Sequence, residues 1–533
     1  MTDQSRRKLL LGAAAVPVAA AVSPLLPGTA IADDDVEAPN TVVTPGDRQY
    51  ADLVIGSNAR FVASPRQVHV PGSAAQVVRS VQAAVDAGLK VVVRSGGHCS
   101  EDFVHSPSAQ VIIDLSELNE VGFDPVRGAF FVEPGAGLGE VYRTLYKKWG
   151  VTVPGGLTPT VGAGGHVAGG GYGRLSRQYG SSIDHLCGVE VVVVDTTGRA
   201  RTVTATNQPS DPHRDLWWAH TGGGGGNFGV VTRYWFRSPG ATGNDPSTLL
   251  PKPPKTVVDS LVRWSWADMS REAFRRLLRN HGRWHELNSA PGSPHSSFYS
   301  LFTVLRKNSG VLDLNTTLDG TLPDADRLLA GYLAALNDGV GVPFTHDVRR
   351  DPWLKSTLLS RTPDTFSGTR AKLKAAYLRK ALPDRELDVI YDRLTGTGYT
   401  NPVAGLLITS YGGQVNAVPS TATAQPQRDS VNKVVYVNSW NDPAEDAEHL
   451  RWIREFYRDV HAGTGGVPVP GELYDGSYIN YADVDLADPA WNTSGVPWHA
   501  LYYKGNYARL QQVKARWDPR DVFNHALSVR LPR

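Results

Sequence analysis

Pro154-Gly155-Gly156-Leu157-Thr158-Pro159-Thr160-Val161-Gly162-Ala163-Gly164-Gly165-His166-Val167-Ala168-Gly169-Gly170-Gly171-Tyr172-Gly173 is the stretch on which the fold turns. Nine of its twenty residues are glycine. A flexible linker of that composition carries Ser or Lys, whereas this one carries Val, His and Tyr. The composition therefore predicts an ordered loop whose backbone is pressed against a flat ligand, since glycine has no Cβ to hold the two apart. Upstream, the apolar run Leu89-Lys90-Val91-Val92-Val93 leads into Arg94-Ser95-Gly96-Gly97-His98. Successive backbone N–H groups with little side-chain bulk make an anion nest suited to a pyrophosphate. Alone, that second pattern is equally the pattern of a plain tight turn.

Around these loops the periodicity is that of mixed helices and strands. Ser73-Ala74-Ala75-Gln76 reads as a capping box, followed by Val77, Val78, Val81, Ala84 and Val85 at helical spacing and by Gly88 as the stop. Strands are expected at 89–93, 111–113, 129–132 and 189–194, the last turned back as a hairpin by Thr197-Gly198. Helices are expected at 138–149 and 215–220. The five glycines 222–226 then precede a strand at 229–236. Gly224, Gly226 and Gly229 satisfy G-x-G-x-x-G, but they follow a helix and precede a strand. A Rossmann site needs the reverse order, so that reading is rejected. Residues 33–60 read as a polar lead-in, and Pro, Gly, Asp and Ser collect at 238–254, which reads as a domain boundary. Beyond it come strands at 298–305 and 434–437, a helix at 325–336, and a long loop at 418–428.

The bulk numbers exclude several classes. A chain of 533 residues needs at least two domains. A net charge of +2 without a basic stripe argues against nucleic acid as a partner. Two cysteines, Cys99 and Cys187, exclude a disulfide framework, and no His spacing suits a metal. Ser5-Arg6-Arg7-Lys8-Leu9-Leu10 resembles a twin-arginine signal. An apolar stretch broken by Pro17 and Pro24 follows, and then Ala30-Ile31-Ala32, an A-x-A cleavage site. Residues 1–32 are thus expected to be removed on export, leaving a secreted chain without a membrane anchor.

Several motifs in one order carry a resemblance: Arg94–His98, the 154–173 loop, Arg174–Gly180, Asp184-His185-Leu186, Leu216–His220 with its glycine run, Tyr478–Asp483, Tyr502–Leu510, Asp518-Pro519 and Phe523. Together they resemble the berberine bridge enzyme-like oxidoreductases of the vanillyl-alcohol oxidase superfamily. Arg174–Gly180 and Leu216–Phe236 are most similar to actinomycete antibiotic-tailoring members. The resemblance implies an α+β fold: a PCMH-type FAD-binding domain of two α/β subdomains at 60–240, and a substrate domain with a helix-covered antiparallel sheet at 241–475. A C-terminal segment at 476–533 would return to the FAD domain.

The resemblance also implies FAD as cofactor, bound covalently through an 8α-histidyl link at His98. Such a tether keeps the flavin from being lost outside the cell and favours its reduction. Many relatives carry a cysteine in the second loop that makes a further link. Here Thr158 stands at that position, so only one link is expected. Arg94, Ser95, Gly96, Gly97, Gly155, Val161, Gly162, Gly165, His166, Gly169, Gly170, Gly229, Val230, Asn480 and Tyr481 would complete the flavin contacts.

Oxidation of an alcohol by flavin needs a hydride acceptor and a base near the hydroxyl. A tyrosine serves if hydrogen bonds to its phenolate form lower its pKa. The resemblance points to Tyr478 as that base and Tyr172 as a second active-site tyrosine, with Tyr481 as the alternative base. The expected partners are a small-molecule substrate and molecular oxygen, giving hydrogen peroxide. Two other readings remain at this stage: an oligosaccharide oxidase, which would show an open groove rich in Trp and Tyr, and an antibiotic-binding resistance flavoprotein.

Overall fold

The computed structural model describes residues 40–359 and 367–533. The expected signal segment at 1–32 lies outside the described residues. Three sheets organise the chain. The first has four strands in the order Thr41–Val43, Gln67–Val70, Val111–Asp114, Val91–Arg94. Its last three are parallel, joined through the helix Ala74–Asp86. That helix forms where the capping box predicts it: the Ser73 side chain accepts a hydrogen bond from the Gln76 N–H, an interaction worth about 1 kcal/mol. Gly88 closes it with a φ of +62°. Val77, Val81 and Ala84 turn inward against Val111 and Ile113.

The second sheet is antiparallel with five strands, in the order Val121–Asp124, Ala129–Val132, Val230–Phe236, Leu186–Val194, Ala200–Thr206. The helix Leu138–Trp149 packs on it with Val141 and Leu145 buried, and ends on Gly150 in the left-handed region. These two sheets make the two α/β layers that hold the glycine loops.

The third sheet is antiparallel with seven strands, all drawn from residues 256–440. Its order is Phe344–Pro352, Thr256–Ser265, Val311–Asp319, Tyr299–Leu305, Gly405–Ser410, Asn432–Trp440, Arg370–Leu378. Strand alternation gives it two unlike faces. On Asn432–Trp440, Val434 joins the main core and Tyr436 packs edge-on against Phe456 and Tyr457 of the helix Asp446–Val460. Lys433, Val435 and Val437 face the other way, into a cavity. The helices Arg271–Asn288, Ala325–Asn337, Asp384–Thr395 and Asp446–Val460 cover the first face. Only the second face is left to meet a ligand.

Two sequence expectations change. The polar lead-in is structured: Thr41–Val43 pairs with Gln67–Val70 and buries Val43. Strands at Thr256–Ser265, Val311–Asp319, Phe344–Pro352, Arg370–Leu378 and Gly405–Ser410 were not anticipated. Many of their residues are polar, which blurs the alternation. No helix among the described residues is long and apolar enough to cross a membrane.

Candidate active site

The strand Val91–Arg94 ends where the Arg94 guanidinium pairs with Asp114 on the neighbouring strand at 2.7 Å. The next residues leave the sheet as a loop. Ser95 Oγ donates to the Pro134 carbonyl at 2.6 Å. Gly97 has a φ of +72°, which a side chain would strain. Gly96 lies directly against Gly162 of the second loop: a Cβ on Gly96 would stand 2.3 Å from the Gly162 nitrogen. A Cβ on Gly162 would stand 2.2 Å from Ser95 Oγ. The two glycine loops are therefore interlocked backbone to backbone. They bring His98 beside Thr160, with Nε2 and Oγ1 3.0 Å apart.

A cavity of about 1,090 Å³ opens from this junction. Ser95, Gly96, Gly97, His98, Thr158, Val161, Gly162, Gly165 and His166 line it from the loops, and Gly224–Gly226 and Gly229 from the second glycine-rich segment. Tyr172, Tyr478, Asn480 and Tyr481 line it as well, and Leu301, Leu407 and Val435 close it from the seven-stranded sheet. Five of the expected contacts do not line it. Arg94 is spent on Asp114. Gly155 is packed against the Tyr142 hydroxyl, Gly169 against the Asn480 side chain and Gly170 against Gln425. Val230 is buried in the sheet core. They hold the wall from behind.

Tyr478 is held firmly. Its hydroxyl oxygen accepts from the Gly171 N–H at 3.2 Å and from the Asn480 amide at 3.1 Å. The same Asn480 amide donates to the His166 carbonyl at 3.0 Å. Burial pushes the Tyr478 phenol up, and the Asn480 and Gly171 donors act the other way. The lowering expected from sequence is thus only part of the balance. Tyr172 is raised well above its ordinary range by burial, with the neighbouring Tyr299 adding to it. His166 is pushed down to about 4 by burial, with the nearby Lys433 charge acting in the same direction. It therefore stays neutral at physiological pH, and its Nε2 accepts from the Gly156 N–H at 3.2 Å.

The sequence reading missed the residues that the big sheet contributes. Lys433 Nζ lies 4.2 Å from the centre of the Tyr172 ring, 4.3 Å from that of Tyr478 and 5.0 Å from that of Tyr481. Tyr411 packs on Tyr172 and on Tyr377, and the Gln425 amide donates to the Tyr377 and Tyr411 hydroxyls at 3.0 and 3.1 Å. The available signal was the parity of Lys433, Val435 and Val437: a lysine on a face that is otherwise apolar.

The glycine walls suit a large, flat, pyrophosphate-bearing group. Side chains at Gly96, Gly162 and Gly229 would collide with backbone or with Ser95, while Gly224–Gly226 leave the far wall bare. FAD fits that description, and the comparisons agree. Residues 65–204 match the FAD binding domain family model, and residues 477–530 match the model described as berberine and berberine like. The chain is 54% identical over 487 residues to the aclacinomycin-N/aclacinomycin-A oxidase of Streptomyces galilaeus, covering 91% of this chain and 89% of that protein.

The chain belongs to the berberine bridge enzyme-like family of FAD-linked oxidoreductases. Further relatives agree with that assignment. The hexose oxidase of Chondrus crispus is 31% identical, covering 89% of this chain and 91% of that protein. The crystal structure of an aclacinomycin oxidoreductase superposes with a TM-score of 0.91 at 53% identity, covering 93% of this chain and all of that one. A glycopeptide hexose oxidase complexed with teicoplanin gives 0.89 at 49% identity, over 92% of this chain and 99% of that one. In this berberine bridge enzyme-like chain, Thr158 lines the cavity where the resemblance would place a linking cysteine. Cys187 lies in the strand Leu186–Val194 with its thiol donating to the Trp235 carbonyl at 3.3 Å. Both cysteines are free.

Proposed function

We propose that this enzyme is an oxygen-using alcohol oxidase acting on a largely apolar, hydroxyl-bearing small molecule such as a glycosylated or polycyclic antibiotic. One observation carries the reading: the Tyr478 hydroxyl is fixed by two donors inside a cavity with a glycine-walled side and a sheet side where Leu301, Leu407 and Val435 sit among Thr303, Asn315 and Thr409. When bound, FAD supplies the hydride acceptor and passes the electrons on to oxygen, releasing hydrogen peroxide. This chain's own residues do the rest. Leu301, Leu407 and Val435 bind an apolar body and exclude water from it. Tyr478 takes the hydroxyl proton at its phenolate oxygen, the form that Asn480 and the Gly171 N–H stabilise. Tyr172 and Tyr481 both pack against Lys433 in the same cavity wall.

The named activities of the relatives support this substrate class: an aclacinomycin oxidase and a glycopeptide hexose oxidase act on antibiotics. Of the Trp and Tyr expected to line a groove for free oligosaccharides, the cavity has five tyrosines and, among the described residues, no tryptophan. Attachment of FAD through His98 belongs to the same proposal. His98 is half-buried in the cavity wall, beside the loop that lacks a cysteine at Thr158. Export by the twin-arginine route belongs to it as well, supported by Arg6-Arg7 and Ala30-Ile31-Ala32.

Anaerobic mixing with a panel of glycosylated aglycones and free sugars tests the reading. Flavin bleaching by a glycosylated or polycyclic substrate, with peroxide formed on re-aeration, is the expected result. Bleaching by free oligosaccharides alone would overturn the substrate class. Acid precipitation should leave the flavin in the pellet, and release it in a His98→Ala variant.

A further inference from the structure

Four lysines are buried among the described residues: Lys372, Lys374, Lys433 and Lys514. Three have carboxylate partners. Lys372 and Lys374 both pair with Asp483, at 2.8 and 2.6 Å, and Lys514 pairs with Asp518 at 2.6 Å. Lys433 is only 2% exposed, and its ammonium forms no ion pair or hydrogen bond with the described residues. Its neighbours are the rings of Tyr172, Tyr478 and Tyr481. Its backbone sits mid-sheet, opposite Thr409 and Tyr377, so the chain cannot swing it to solvent. The side chain lines the cavity against the ring of Tyr478, whose hydroxyl is proposed to receive the substrate proton.

A buried amine without a counter-ion favours its neutral form, because burial penalises the charge and no carboxylate offsets it. Burial pushes Lys433 down to about 7, while ring faces act against that by stabilising a cation. A neutral lysine amine is a nucleophile toward carbonyl carbon, as Schiff-base lysines show.

We propose that Lys433 is a carbonyl-capture site, where aldehydes and ketones admitted to the cavity condense reversibly with the amine. The Nζ lone pair forms a bond to the carbonyl carbon, the carbonyl oxygen leaves as water with the two amine protons, and an imine remains. No oxidant or reductant is consumed. The natural ligand of this class is the carbonyl product of alcohol oxidation in the same cavity, and that part rests on the function proposed above. Capture would retain the product and slow the next turnover.

The test uses the full-length holoenzyme, glycolaldehyde as the probe and cyanoborohydride to fix the imine, near neutral pH. Peptide mapping follows the adduct with time. Lys433 should acquire it on the order of tenfold faster than the exposed Lys252 and Lys307. A Lys433→Met variant should lose the fast phase of labelling seen in intact mass. If that variant does not fold, the site-resolved rates in the unsubstituted enzyme decide alone. Labelling of Lys433 no faster than of Lys252 and Lys307 overturns the proposal. A separate anaerobic sample records flavin bleaching by alcohol. Bleaching without fast labelling removes only the capture site. Fast labelling without bleaching removes only the alcohol-oxidase reading.

Discussion

The Asn480 side-chain amide reaches both the Tyr478 hydroxyl and the His166 carbonyl, at 3.1 and 3.0 Å, and so fixes the phenol to the second glycine loop. Gly169 makes this possible, because a Cβ there would stand 2.0 Å from the Asn480 amide oxygen. If Tyr478 is the base, Tyr478→Phe should lower the rate of flavin reduction on the order of 10²- to 10⁴-fold while FAD stays bound. Asn480→Ala removes a donor that favours the phenolate. Burial already pushes the Tyr478 phenol up, so activity should rise with pH, and the variant's rise should lie further to the alkaline side. The pH profile of kcat/KM checks the direction; an acid-side displacement would count against Tyr478 as base.

Two glycines offer a matched pair. A Cβ on Gly96 meets the Gly162 nitrogen at 2.3 Å, whereas a Cβ on Gly165 meets nothing within 4 Å. Gly96→Ala must push the two loops apart and should abolish or greatly reduce flavin content. Gly165→Ala should fold normally, and its flavin-to-protein absorbance ratio should show whether the open space there is occupied by cofactor.

Thr158 lines the cavity two residues before Thr160, whose hydroxyl lies 3.0 Å from His98 Nε2. A thiol at that place is predicted to reach the flavin. In a Thr158→Cys, His98→Ala double variant the flavin should survive acid precipitation, whereas His98→Ala alone should release it. Release from both would show that the loop does not bring position 158 to the ring.

Several buried histidines set an acid limit on stability, His166 and His220 among them. Burial pushes His166 and His220 each down to about 4, below the ordinary value of 6.5. Between those values the unfolded chain binds a proton that the folded chain refuses. Stability is therefore intact above about pH 6.5 and falls as the pH drops toward 4, by up to roughly 3 kcal/mol per histidine. His220→Gln should unfold at a similar temperature at neutral pH, and its Tm should fall less steeply than the parent's on acidification. Parallel Tm curves for the two proteins would contradict the assignment.

The buried charges beneath the site predict a different failure. Glu101, three residues after His98, pairs with Lys372, which also pairs with Asp483. Lys372→Met leaves the buried Glu101 without its ion-pair partner and Asp483 with Lys374 alone, and should cost about 3–5 kcal/mol. A large fall in Tm with loss of flavin is the expected outcome.

The flavin half was legible because its signal is local. Glycines packed as densely as in 154–173 have few structural explanations, and the Ser73 cap and the Thr197-Gly198 turn act within a few residues. The substrate wall was not legible. Lys433, Leu301 and Leu407 come together only through strand pairing across the sheet, and pairing partners are invisible in one sequence. Thr41–Val43 was lost for another reason: three residues are too few to show a period.

The seven-stranded sheet is threaded between two parts of the flavin-holding body: the chain leaves that body after Phe236 and comes back to it by Tyr478. Ser95–His98 and Asn480–Tyr481 line the same cavity from opposite sides of this excursion. The substrate wall can thus be rewritten at alternate strand positions, such as 301, 407 and 435, without disturbing a single glycine of the cradle. Substrate wall and flavin cradle thus lie in separate stretches of this chain, and they meet where Leu301 and Leu407 pack in one cluster with Tyr172 and Tyr478.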